Sequence, residues 1–544
     1  MTATEVPRSV ARPAVARALA AAEVFALLLF VASRAAGYAD QVDFHMADEL
    51  GVVQAGRDLL RHGALPDIAY SPLTAVVYAA LVALPTSAAP MDVMYWLVVL
   101  STPVLLWWAL RPLLPPPVGL LVAGWLGSST CLLEAQCRGG MATPHVYASN
   151  AALLFVALGA CLRRRPRLAL FVLALAAVNR FEYAPWVLVF ACALALSGRL
   201  GWTPRARWTV AVCGLLPMAL AFGSEGVRGR SWAAFAQNYA STAVADDLRR
   251  ADPAVTDAAV HRAQFRIYGN PWQRVAADFP RADSVFAALA ENPRCFLAHV
   301  GRNLAGVPGL LAWAHGTTLL PRPAGAVLLA VLAALAAVGW WQRWRARSLG
   351  AGWPPALWLL LATSPCAVLV PLFVADRGEL FWPLFPGWLL LLLGGLGAVA
   401  ARLRPPSGSV WPSLAAVGAL LALALGVPGP FAGPPGRLPN RCVRDLLTAQ
   451  PPPQGARVVG AWPSYPQLLD RPDLQMLLPG HFEIAKFDAF LTPRPGDTIV
   501  IAPDLEDQVP DYRATVDFIA RSAEWRASAR RDDVVVYTRI VQGK

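Results

Sequence analysis

The sequence predicts an all-α polytopic membrane bundle of about 11–13 transmembrane helices, with a small α/β domain outside the membrane. Three observations carry this. Of 544 residues, 56% are hydrophobic and only 15% charged, and the mean hydropathy is +0.46. The apolar residues gather in Leu/Ala/Val runs close to the roughly 20 residues that cross a bilayer. After Pro428 the composition shifts to proline-rich linkers and short alternating segments. Lipid demands helices or closed barrels, and long runs rather than short alternating strands select helices.

The runs fall at 18–36, 70–89, 92–110, 116–134, 146–162, 168–178, 183–198, 208–223, 303–320, 324–341, 353–375, 380–401 and 409–428. Arg8, Arg12 and Arg17 precede the first run. Gly37-Tyr38-Ala39 resembles a cleavage site, but many runs follow, so an uncleaved first span is expected. Further arginines stand at Arg111, Arg163–Arg165, Arg167, Arg199, Arg205, Arg207, Arg343, Arg345, Arg347, Arg402 and Arg404. Arginine at the ends of runs is the positive-inside pattern, which puts the N-terminus in the cytoplasm of a cell (inner or plasma) membrane. Loops 37–69, 135–145, 179–183, 224–302 and 376–379 then lie on the extracytoplasmic side. Two pairs of runs break the parity, before Arg111 and between 302 and 343. Either one run of each pair is re-entrant, or Arg111 faces out.

Residues 1–428 therefore read as the transmembrane domain, with outer loops 37–69 and 224–302, and 429–544 as an extracytoplasmic α/β domain. In the latter, ARVVGAW at 456–462, TIVIAP at 498–503 and VVVYTRI at 534–540 have strand character, with a helical stretch from Tyr512 to Trp525. The net charge of +12 does not indicate nucleic acid, because the arginines mark run ends and only Lys486 and Lys544 are lysines. The eight cysteines show no CxxC or other metal spacing.

Charges at a membrane rim need a reason. Asp48 and Glu49 open a helix whose apolar Val52, Val53, Leu59 and Leu60 are expected to rest on the membrane, with Asp43 and His45 nearby. Asp48 is either an N-cap, with Glu49 on the helix dipole, or a general base, and both roles are compatible. Tyr70-Ser71-Pro72-Leu73 begins the next run, with a proline suited to a first helical turn. Glu134, Arg138 and His145 occupy an outer hairpin. Arg180 and Glu182 sit in a break between two short runs, where burial requires pairing or a wet cavity. His299 and Arg302 lie one helical turn apart before another run.

A first span, an acidic pair (Ala47-Asp48-Glu49) on a helix to Leu60, and the Tyr70-Ser71-Pro72-Leu73 re-entry resemble the GT-C glycosyltransferases. These are polytopic enzymes such as protein O-mannosyltransferases and bacterial aminoarabinose transferases. Arg180-Phe181-Glu182 is similar to an Arg-x-Glu segment of some members. The likeness covers the layout of residues 1–200, and the rest in outline. This chain has one proline, Pro72, where the common pattern has two, and no lysine there.

The resemblance implies inverting transfer from a polyprenyl-phosphate-linked sugar to a lipid, glycan or protein hydroxyl. Asp48 would be the base, with Glu49 as its neighbour or a contact to a divalent cation such as Mg or Mn. Two acids are too few to argue a metal site from sequence. The leaving phosphate would need donors from Arg138, Arg180, His299, Arg302 or Arg377. Asp43, His45, Glu134 and Glu182 are the remaining candidates. The rival readings are a transporter or flippase, and a non-catalytic partner in envelope polysaccharide assembly. A transporter would carry ionisable residues deep in its spans, where Glu23 is the main example here.

Overall fold

In this computed structural model the chain is mostly helical, with one small sheet near its C-terminal end. The structure describes residues 13–44, 48–63, 72–84, 89–112, 114–133, 146–197, 199, 203–223, 225–257, 259–260, 263–264, 267, 271–314, 322–345, 359, 410–436, 438–460, 465–477, 496–503 and 512–540. The helices are α1 (Pro13–Ala35), α2 (Tyr38–Gln41), α3 (Asp48–His62), α4 (Pro72–Val82), α5 (Pro90–Leu110), α6 (Pro116–Gly127) and α7 (Thr130–Leu133). Then come α8 (Val146–Leu162), α9 (Pro166–Asn179), a 3-10 turn at Phe181–Tyr183, α10 (Ala184–Leu196), α11 (Pro204–Gly223) and α12 (Glu225–Ala251). They continue with α13 (Trp272–Asp278), α14 (Val285–Glu291), α15 (Pro293–Ala314), α16 (Arg322–Arg345) and α17 (Trp411–Gly426). The runs expected at 353–375 and 380–401 lie outside the described residues, apart from Leu359.

Two described helical stretches are long and apolar enough to cross a membrane, Ala14–Gln41 and Pro90–Leu110. They run antiparallel. At one end Tyr38 stacks on Tyr95, with ring centroids 3.5 Å apart. At the other, the buried Glu23 carboxylate lies 3.7 Å from the Arg111 guanidinium, which also covers the Trp107 ring. Arg111 is thus level with Glu23, near the middle of α1. The remaining apolar helices are shorter, among them Pro116–Gly127, Pro166–Asn179 and Trp411–Gly426.

This geometry bears on the first parity break. Helix α4 has 11 residues, a rise of about 16 Å against a hydrocarbon core of about 30 Å. Its buried Ala75, Tyr78 and Leu81 share a cluster with Met91, Met94 and Val98 in the first half of α5. The described part of the 70–89 run is therefore a short helix at the Pro90 end of α5 and does not reach the Arg111 end.

The C-terminal region adds α18 (Pro439–Ala449), α19 (Tyr465–Leu469), α20 (Tyr512–Arg521) and strands β1 (Arg457–Val459), β2 (Gln475–Leu477), β3 (Thr498–Ile501), β4 (Trp525–Arg531) and β5 (Val534–Arg539). The sheet order is β2-β1-β3-β5-β4. β1 pairs parallel with β2 and β3, whereas β5 pairs antiparallel with β3 and β4. β1 and β3 are buried along their whole length, which suits their near-continuous apolar runs. The strands expected near 456–462, 498–503 and 534–540 form. β4 takes up the end of the stretch expected to be helical, because Trp525 pairs across from Arg539 instead of closing α20.

One core cluster joins this region to the helices. Cys442, Val443 and Leu447 of α18, with Val458, Val500 and Val536 of the sheet, pack with Leu50, Val52, Val53 and Ala55 of α3. The valines were expected to rest on the membrane, and that reading is corrected. They are buried between α4 and the C-terminal region, while Leu60 is exposed. The close approach of α3 to α4 needs Gly56, where a Cβ would come within 2.7 Å of the Ala79 nitrogen.

Candidate functional site

The acidic pair sits where the sequence suggested, in the first turn of α3. Backbone N–H groups at a helix start favour carboxylates there. The side chains of Asp48 and Glu49 lie outside the described residues, as do His45, Glu134, Arg138, Arg377, Tyr70 and Ser71 and the Glu182 side chain. What is described is the frame that holds α3.

Asp43 belongs to this frame rather than to an open acidic site. It is 1% exposed. Its Oδ1 accepts from the Phe44 and Arg441 N–H groups, each at 2.9 Å, and its Oδ2 accepts from the Asn440 N–H at 2.7 Å. Asn440 and Arg441 are in the first turn of α18, so the carboxylate of one chain segment caps a helix nearly 400 residues away. The Asn440 side chain answers by donating to the Phe44 carbonyl at 3.3 Å.

Arg441 completes the anchor. Its guanidinium makes a two-pronged contact with Asp92, at 2.9 and 2.7 Å, and donates from Nε to the Val42 carbonyl at 2.8 Å. Burial disfavours its charge, but the bonds to Asp92 outweigh this and leave its pKa above the ordinary arginine value. Farther along α3, Arg57 donates to the Gln467 carbonyl and lies 3.6 Å from Asp470, and Arg61 reaches Asp470 at 2.6 Å. Burial pushes the Arg57 pKa down, with Asp470 pulling the other way.

The break at Asn179–Tyr183 is a second focus. Asn179 Oδ1 accepts from the Thr74 N–H and hydroxyl, both at 3.0 Å. Its Nδ2 donates to Asn150 Oδ1 at 2.8 Å, and Asn150 donates to the Ala176 carbonyl at 3.2 Å. All three residues are buried. The network supplies an acceptor for an N–H in the first turn of α4, which has no partner within its own helix. It ties the re-entry at Pro72 to α8 and α9. Arg180 then leaves the helix in extended conformation, and the 3-10 turn carries Glu182.

The third focus is α15. It packs against α7, directly before Glu134. His299 is fully buried among Phe235, Tyr239 and Asn303 rather than open to a ligand. Its Nδ1 faces the Thr242 hydroxyl at 3.4 Å and its Nε2 the Asn303 amide at 3.3 Å. Arg302 is ion-paired with Asp246 of α12. Both were candidates for the phosphate contact; the structure seats His299 in the core of this region and gives Arg302, which is partly exposed, an acidic partner. Among the described residues, no group of three or more His, Cys, Asp or Glu side chains comes together to hold a metal.

The structure thus brings α3, α4, the first turn of α5 and the C-terminal region together, and separately α7 with α15. Asn150, Asp92 and Arg441 were not singled out in sequence, and Asn179 stood out only as the first residue of the break at 179–183. The signal for the two asparagines was present, since amides within apolar runs must find partners. No known protein family matches the chain, and no curated protein does.

Proposed function

We propose that the chain is a multi-pass membrane glycosyltransferase that uses a polyprenyl-phosphate-linked sugar. Its N-terminus is cytoplasmic, and its site and C-terminal region are extracytoplasmic. The observation that carries this reading is the seating of α3. A helix led by two adjacent acids is held against α4 and the Pro90 end of the apolar helix α5 by buried anchors. A lipid-borne donor arrives at that level, where its phosphate stays in the headgroup layer and its chain in the hydrocarbon.

In this mechanism Asp48 removes the proton of an acceptor hydroxyl. The hydroxyl oxygen attacks the anomeric carbon from the face opposite the phosphate. The bond from that carbon to the phosphate oxygen breaks, and the polyprenyl phosphate leaves with the electron pair, inverting the centre. The leaving charge needs donors. Arg180, at the polar break, is one candidate, whereas the side chains of His299 and Arg302 contact residues around the 224–302 loop. Arg138 and Arg377 remain candidates. Glu49 would serve as the neighbour of Asp48 or as a contact to a divalent cation.

The test supplies purified wild type and Asp48→Asn, in nanodiscs, with a panel of labelled polyprenyl-phosphate sugars and acceptor lipids. Transfer by the wild type and its loss in a folded Asp48→Asn is the expected result. Full activity in the variant removes Asp48 as the base. Absence of donor binding and transfer across the panel removes the transferase reading.

A further inference from the structure

The C-terminal region is attached to α3 at both ends, and the two attachments bracket the acidic pair. On the N-terminal side, Arg441 alone engages three consecutive residues. Its Nε donates to the Val42 carbonyl, its backbone N–H to Asp43 Oδ1, and its guanidinium carbon lies 4.2 Å from the centre of the Phe44 ring. The same guanidinium grips Asp92 through both carboxylate oxygens, which fixes the segment against the first turn of α5. Only residues 45–47 separate this anchor from Asp48. On the C-terminal side, Arg57 and Arg61 hold α19 through Gln467 and Asp470. Between the two, Val52, Val53 and Ala55 are buried against α4, α18 and the sheet.

A fold alone does not require this much of an arginine. Asp43 already caps α18, and the shared apolar core already joins the two parts. The planar fork of Arg441 adds direction: it satisfies a carboxylate with two donors and a carbonyl with a third, which a lysine cannot do in one geometry. Its partners are the backbone just before Asp48 and the start of α5. The consequence is a fixed height and angle for the first turn of α3 relative to the apolar bundle. A displacement of about 1 Å at a reacting group is enough to cost on the order of a hundredfold in rate.

We propose that Arg441, with Arg57 as its counterpart, is a positioning residue for the acidic pair, and that the C-terminal region is thereby a working part of the transferase site. This rests on the function proposed above. The experiment uses full-length protein in nanodiscs as wild type, Arg441→Lys, Arg441→Gln and Arg57→Gln, with two readouts. Hydrogen exchange of amides 48–56 is expected to quicken about tenfold in Arg441→Gln while α1, α5 and α8 keep their protection. Turnover is expected to fall about tenfold with donor KM within twofold, since chemistry and not binding loses its geometry. Arg441→Lys should fall between Arg441→Gln and wild type.

Unchanged exchange at 48–56, or a loss expressed only in KM, overturns the proposal. Should Arg441→Gln lose protection throughout, Arg57→Gln decides, because it leaves residues 42–44 and their anchor intact. If the wild type transfers no sugar from any donor, the transferase reading falls by itself. The exchange data then still determine whether Arg441 and Arg57 hold the acidic turn.

Discussion

Asp43 and Asp48 are five residues apart and chemically identical, yet the structure gives Asp43 a role that a single substitution separates from the catalysis proposed for Asp48. Asp43→Ala removes one carboxylate that accepts three backbone N–H bonds, two of them from the first turn of α18. Loss of an N-cap costs about 1–2 kcal/mol. Leaving a buried N–H without a partner adds about 1–3 kcal/mol, with water able to recover part of it. A net loss of about 3 kcal/mol follows, which raises the open population of α18 roughly 150-fold. Asp43→Asn keeps one acceptor oxygen but turns an N–H donor toward the other N–H. A loss of about 2 kcal/mol is expected for it.

The assay is native-state hydrogen exchange at residues 439–446, with protease sensitivity of the 429–436 segment as a second probe. Asp48→Asn, measured alongside, should leave both unchanged. Exchange in Asp43→Ala indistinguishable from wild type would refute the capping argument and return Asp43 to the list of candidate acids. The donor helix, not only the acceptor, has to respond, since a local effect at 43–44 would move neither probe.

Two further outcomes are expected. Asn179→Leu deprives the Thr74 N–H, the Thr74 hydroxyl and Asn150 Oδ1 of a partner at once, so a loss of about 2–4 kcal/mol should show as a lower melting temperature in detergent. In that variant the proposed activity should weaken too, because α4 and the Arg180 break lose their common anchor. Cys442 should resist alkylation in the folded protein: burial, aided by Asp532 at 3.4 Å from the sulfur, pushes its thiol up to about 11. A raised thiol value favours the protonated folded form, so this contribution is whole below the unfolded thiol value. It is lost as pH rises through about 11. Rates of maleimide labelling from pH 7 to 11, native against denatured, check the direction. Equal rates at every pH would contradict it.

What could be read in the sequence, and what could not, follows from the range of each interaction. Pro72 and Pro166 open helices because the missing N–H costs nothing in a first turn, a local effect visible in the text. The α3 helix and its acidic start were equally local. The partner of its apolar face was not. A helical period states that Val52 and Val53 share a face to be buried, and a bilayer and a protein core satisfy that demand alike. The distinction is made by groups that lipid cannot partner. Arg57 and Arg61 lie one helical turn apart on α3, and their bonds run to Gln467 and Asp470, 410 and 409 residues away.

His299 illustrates the same point in reverse. One turn from Arg302 and just before an apolar run, it looked like a phosphate donor. Its neighbours Thr242 and Asn303, however, give both ring nitrogens polar company inside an aromatic cluster. A titratable residue on a predicted rim thus identifies a site only when the fold's own polar groups have not already engaged it. Asp43 and His299 fail that condition. For Asp48, which opens α3, the Asp48→Asn comparison at unchanged α18 exchange tests the proposed chemistry.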